Sequence, residues 1–236
     1  MPICRLCHKD RILRKSHIVP EFLYSHLYNE KGHMMGINGI GAKGWKPLQL
    51  GIRENLFCEE CEQHFNEHFV KPFRQQWVVN CPLPDPWNVP EPHWISVSYA
   101  TFKLFHLSVL FRASVSSLPT YSEAVLGIHE ERLRQMIWTK NPGEAWEYPI
   151  WGLALVHHQT SKIVQLVSQV QRGRFAGQRC YAICYGGMQW WIGVNSHRNS
   201  ELEAICLQKD GRIPVSTINW RELGLIQSAS RLLCKN

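Results

Sequence analysis

Apolar residues recur at every fourth position from Cys61 through Phe65, Phe69 and Phe73, which predicts a helix over about 59–73 with one buried face. Glu62 and Asn66 share that spacing on an adjoining face, so both can reach a single point. Pro72 is expected to kink or end the helix. Upstream, Ile12 and Leu13 mark a short strand that leads into Ser16-His17-Ile18-Val19-Pro20. Pro20 then opens a short helix to about residue 28, with Leu23 and Leu27 on its apolar side. The glycines at 32, 36, 39, 41 and 44 read as a flexible loop. Farther on, residues 99–115 are apolar almost all round (Phe102, Leu104, Phe105, Leu107, Val109, Leu110, Phe111), the pattern of a core helix. A second helix follows at about 128–138, with Glu130 and Arg134 as an i, i+4 pair.

From Tyr148 the pattern shortens to strands at 150–156, 162–167, 179–185, 188–194, 203–208 and 212–218. Gly186-Gly187 and Asp210-Gly211 carry hairpin-turn chemistry. Asn219, with Glu222 three residues on, suits the start of a last helix that buries Trp220, Leu223, Ile226 and Leu233. Five prolines between 81 and 93 exclude helix and central strand and suggest a boundary. The expectation is an α+β chain: a front module at 1–80, a Pro-rich linker at 81–94, and a helical and antiparallel-sheet domain at 95–236. That domain is expected to fold without metal and to recognise a target or dock a partner.

Composition narrows the class. With 44% hydrophobic residues and ten tryptophans, the 236-residue chain has enough apolar surface for a real core. No charged segment followed by an apolar one opens it, and the stretch 99–115 is interrupted by Lys103, His106 and Arg112. A soluble, cytoplasmic protein with no membrane contact is therefore expected. The net charge of +7 suits a polyanion. The excess is evenly spread, however, with 11 Lys/Arg against 8 Asp/Glu up to residue 80 and 15 against 11 after it. A merely solvated basic surface explains it nearly as well.

Cysteine changes the picture most. Cys4-Arg5-Leu6-Cys7 and Cys58-Glu59-Glu60-Cys61 are two Cys-x-x-Cys knuckles, and together they supply the four thiolates of a tetrahedral structural Zn²⁺ site. Unrelated buried or redox cysteines are the alternative. The gap between such knuckles is commonly ~15–20 residues, and here it is 50. The metal would thus close a loop large enough to carry a working site. Cys81, Cys180, Cys184, Cys206 and Cys234 read as small core residues.

The order Cys-x-x-Cys, Ser-His-Ile-Val-Pro, Asn-Leu-Phe-Cys-x-x-Cys-Glu resembles the zinc-stapled branch of the HNH (ββα-metal) endonuclease superfamily, over about residues 1–73. The resemblance implies a metal-dependent endonuclease cleaving phosphodiester bonds, most simply in DNA, with Mg²⁺ or Mn²⁺ as the catalytic cation. By the same resemblance His17 is the general base and Asn55 braces the loop. Glu62 then stands at the metal-binding position after the second knuckle, with Asn66 one turn on, and Ser16 where the family usually has Asp or His. Anti-phage defence and a regulating protein partner follow only by analogy. A protein that keeps the scaffold without catalysis, as a nucleic-acid-binding or adaptor module, is the alternative.

Plainer readings stand beside these. His17 can be a buried histidine bonded to a carbonyl, and Glu62 a solvated residue among Glu59, Glu60 and Glu67. His8, His64 and His68 are rival ligands or surface residues, and His157-His158 lacks an acidic neighbour in sequence. Trp190-Trp191 and Arg172-Gly173-Arg174 can contact nucleic acid, although tryptophan in a strand is commonly core.

Overall fold

The aromatic row at four-residue spacing does form a helix face, and the helix outruns the stretch 59–73. The structure, a computed structural model, describes residues 2–28, 33–37, 45–49, 53–195 and 197–223, with backbone alone for 33–37 and 45–49. In it α1 (Glu59–Phe65) and α2 (Lys71–Arg74) are joined by a π-turn at Asn66–Val70 and extended by another at Gln75–Val79. Pro72 therefore does not end the helix. In the turn just before it the Lys71 N–H reaches back to the Asn66 carbonyl, a wider register that absorbs the hydrogen bond a proline cannot make. Cys61, Phe65, Phe69 and Phe73 are all buried, and Trp77 extends the row by one turn.

β1 (Leu13–His17) pairs antiparallel with β4 (Arg53–Cys58), and α1 starts at the next residue, so two strands and a helix form one unit. Between them β2 (His33–Ile37) and β3 (Trp45–Gln49) form a separate antiparallel pair, where a loop was expected to run from 32 to 44. The stretch after Pro20 is two 3-10 turns, Glu21–Leu23 and Ser25–Leu27, instead of one helix, because Tyr24 at φ −140° interrupts it.

The remainder contains α3 (Tyr99–Ser114), α4 (Ile128–Thr139), α5 (Ser200–Ile205) and a six-stranded sheet. The strands are β5 (His93–Ser96), β6 (Ile150–Val156), β7 (Gln171–Phe175), β8 (Gln178–Tyr185), β9 (Met188–Gly193) and β10 (Arg212–Asn219), in the order β5-β10-β6-β9-β8-β7. The sheet is mixed and not antiparallel throughout: after β9 the chain crosses through α5 and returns parallel to β6. Pro214 is tolerated within β10 because it pairs only with β5, the β6 ladder beginning at Val215.

Two expected strands are corrected. Residues 162–167 give a single bridge, Ile163 to Val156. Residues 203–208 run out of α5, whose start is fixed by the Asn199 side chain accepting from the Glu201 and Leu202 N–H groups. Asp210-Gly211 is a turn, with Gly211 at φ 87°, but it joins a helix to a strand. The Gly186-Gly187 hairpin forms as expected, both residues at positive φ (61° and 77°). Arg134 pairs with Glu131 at 2.7 Å and not with Glu130. Asn219 caps only the turn Trp220–Glu222, and the rest of the expected last helix, like Cys234, lies outside the described residues.

Central strands bury both faces. Ile150 and Ala154 of β6, Tyr181, Ile183 and Tyr185 of β8, and Met188, Trp190 and Ile192 of β9 face α3. Trp151 and Cys180 face Leu202 of α5, while Leu155 and Cys184 meet Leu223. Gly152 is required where it stands, since a Cβ there would come within 2.7 Å of the Trp190 ring. One core crosses the Pro-rich segment. Phe73 stacks on Phe105 with ring centroids 3.7 Å apart, and Trp77 lies 5.0 Å from Trp190 and donates Nε1 to the Gly186 carbonyl at 2.8 Å. Cys81, expected in the core, is exposed, at φ 45°. No helix among the described residues is long and apolar enough to cross a membrane.

Candidate functional site

The two knuckles meet. The sulfurs of Cys4, Cys7, Cys58 and Cys61 all lie within 4.8 Å of one another, a tetracysteine group that can hold a metal ion such as zinc. The first knuckle is a tight turn closed by His8 N–H on the Cys4 carbonyl at 3.0 Å, with His8 at φ 57°. Arg5 N–H bonds the Leu56 carbonyl at 3.0 Å, and Cys58 N–H points at Cys4 Sγ at 3.4 Å, which brings the first knuckle against β4. From the other side Arg134 of α4 donates to the Leu6 carbonyl at 2.6 Å. Cys4, Cys58 and Cys61 are buried. A thiol–thiolate bond from Cys61 pulls the Cys4 thiol down to about 4, while the same bond and burial push Cys61 up. Sulfurs this close can all become thiolates only with a cation between them, which is what a metal supplies.

Beside this cluster the strand alternation of β1 sends Ser16 and His17 to opposite sides. Ser16 turns inward and donates to Glu62 Oε1 on α1 at 2.5 Å. Asn66, one turn beyond, is exposed. Arg112 of α3 is buried under this pair, its guanidinium 4.2 Å above the Phe65 ring, and Nη1 donates to the His17 carbonyl at 3.3 Å. Burial draws Arg112 down to about 10, and the charge of Glu62 partly offsets that.

His17 faces the other way. Its Nε2 accepts from Arg53 Nε at 2.6 Å, and Arg53 Nη2 lies 3.3 Å from both Glu21 carboxylate oxygens. Glu21 Oε2 is 3.7 Å from His17 Nε2. Burial, then the Arg53 charge, hold His17 below its usual value near 6.5, with Glu21 pulling weakly upward. The ring is therefore neutral at pH 7. Tyr24 meets His17 edge-on at 6.4 Å, and its buried hydroxyl has no hydrogen-bond partner among the described residues.

The structure thus joins Ser16 to Glu62 and the four cysteines to one another, and gives His17 a separate set of partners. Asn55 is exposed on β4, opposite Lys15. His64 bonds the Ile137 carbonyl at 2.9 Å, and His68 meets its ring edge-on at 4.9 Å. Arg53 and Arg112 escape a reading of the sequence because their partners are 36 and 95 residues away, while Glu21, four residues after His17, was within reach of a spacing argument. The early sign of Arg112 is a cation, like Lys103, set in a mostly apolar helix. No protein-family model, curated protein or solved structure matches this chain.

Proposed function

We propose that this chain is a metal-dependent phosphodiesterase acting on nucleic acid, most simply DNA. Zinc on the four cysteines fixes the β1–β4 pair against α1. His17 takes the proton of the attacking water, and Glu62 is the carboxylate turned toward a divalent cation. The observation that supports this best is the meeting of Ser16 with Glu62, since it holds a half-exposed carboxylate of α1 against the end of β1, on the side opposite to the His17 ring. With Oε1 held by Ser16, Oε2 and the exposed Asn66 remain, an oxygen set of the kind Mg²⁺ takes when water and substrate phosphate complete its shell. Such a cation, when bound, neutralises charge developing on phosphoryl oxygens. The buried Arg112 charge acts on the same carboxylate and would compete with a cation there.

Neutral His17 with Nε2 accepting from Arg53 carries its proton on Nδ1, so its basic lone pair is occupied. Phosphate is a stronger partner for a guanidinium than imidazole is. An arriving phosphodiester therefore draws Arg53 away and frees Nε2, which ties activation of the base to presence of substrate.

The same two arginines favour a second reading. Cations on His17 and Glu62 suit a scaffold that binds nucleic acid or a protein without cutting. Plasmid nicking with Mg²⁺ or Mn²⁺ separates the two. His17→Ala should lose roughly 10²–10⁴ in rate while retaining zinc and fold. Cleavage at the wild-type rate in that variant rejects the mechanism, and wild-type binding without cleavage in every divalent metal favours the second reading.

A further inference from the structure

The hairpin β7–β8 carries a basic cleft that the site above does not use. Arg172, Arg174 and Arg179, with Gly173, wall a cleft of about 290 Å³ at the edge of the sheet. All three arginines are exposed, and none has an acidic side-chain partner among the described residues. The period of two puts Arg172 and Arg174 on one face of β7, and Arg174 stands directly across from Arg179 on β8. A like-charge pair facing across two strands costs stability. Nearby carboxylate is already committed: Glu123 accepts from the Arg172 backbone N–H at 2.9 Å. Arg174 Nη1 lies 3.4 Å from the Gly177 carbonyl of the hairpin's own turn, which steadies its guanidinium. The field of Arg179 also reaches the α4 side, where after burial it is the next cause holding His129 below its usual value.

Charge on an edge strand also discourages edge-to-edge pairing, but spaced lysines achieve that without three forked donors round one cleft. Forked guanidiniums with no internal acid match phosphate oxygens. We propose that this cleft docks the phosphodiester backbone of a nucleic acid strand, with the arginines gripping consecutive phosphates. The inference rests on the nucleic-acid part of the reading above but not on cleavage, because docking is measured without it.

The test is binding of a fluorescent oligonucleotide, single-stranded and duplex in separate arms, to the full chain without divalent cations over a salt series. Against wild type stand the triple variant Arg172→Gln, Arg174→Gln, Arg179→Gln, the charge-keeping triple Arg→Lys, and a control triple Lys9→Gln, Lys15→Gln, Lys162→Gln. The glutamine triple should weaken binding at least ~10-fold and flatten the log K against log[salt] slope by about 2–3. The lysine triple should keep most of the slope, which a folding defect would not allow. An unchanged glutamine triple, an equal loss in the control, or no oligonucleotide binding by wild type overturns the proposal. Arginine-dependent binding without cleavage leaves it standing and removes only the catalytic reading.

Discussion

At the scale of single residues, the candidate site is governed by two buried or half-buried arginines placed against a base and an acid. Arg53 lowers the proton affinity of His17, so Arg53→Gln should raise the His17 pKa, as burial remains but Glu21 becomes the nearest charge. An NMR titration of the imidazole reads this directly, and an unmoved or lower value would deny that Arg53 holds the ring neutral. The sign for stability follows. Unfolded, His17 titrates near 6.5, and folded it titrates lower. The unfolded chain therefore binds the extra proton in that window, and stability falls as the pH drops from about 6.5 toward the folded value. Glu62→Ala should raise the Mg²⁺ or Mn²⁺ concentration needed for cleavage and leave the His17 titration in place; a metal requirement equal to wild type counts against Glu62 as ligand. Of this candidate site the cysteines were legible from their spacing, whereas His17 and Glu62 were singled out only by the family resemblance. Arg53 and Arg112 were invisible, since a hydrogen bond across 36 or 95 residues leaves no spacing to read, whereas Glu21 stands at i+4 from His17 and was passed over.

At the scale of elements, the tetracysteine group decides whether the front unit holds together. Cys58 ends β4 and precedes α1, so losing its sulfur loosens strand and helix at once. Cys58→Ser should release the metal and unfold the front unit, structural zinc being worth ~10 kcal/mol or more in small modules. Metal analysis that still finds one zinc per chain would refute the ligand set. Long helices were legible for two reasons: α3 is an apolar run too long for a strand, and α4 carries residues at i, i+4 spacing. Strands β6, β8, β9 and β10 were legible from apolar runs between turns. β7 was not, since Gln-Arg-Gly-Arg-Phe has no apolar alternation and gains its strand state only from β8. Apolar residues near 203–208 looked like a strand because they outweighed the Asn199 cap, the feature that actually fixes the helix.

For the whole molecule, the shared aromatic core ties the front unit to the sheet more closely than the Pro-rich boundary at 81–94 suggests. Trp77→Ala should cost about 3–5 kcal/mol, from lost packing on Phe102 and Trp190 together with the orphaned Gly186 carbonyl. A denaturant midpoint shift well below that range would show that the contact matters little. A fragment beginning at Trp94 leaves Phe105, His106 and Trp190 without Phe73 and Trp77, so it should lack fixed side-chain packing by near-ultraviolet circular dichroism. A natively packed fragment would show the boundary to be a true domain border. That shared core also sets a timetable for synthesis. Trp77 leaves the ribosome 109 residues ahead of Gly186, the residue that receives its hydrogen bond. At roughly 5–20 residues per second that interval is about 5–20 s. Throughout it the Trp77 indole has α3 to pack on but neither the Trp190 ring nor the Gly186 carbonyl that complete its place in the finished fold.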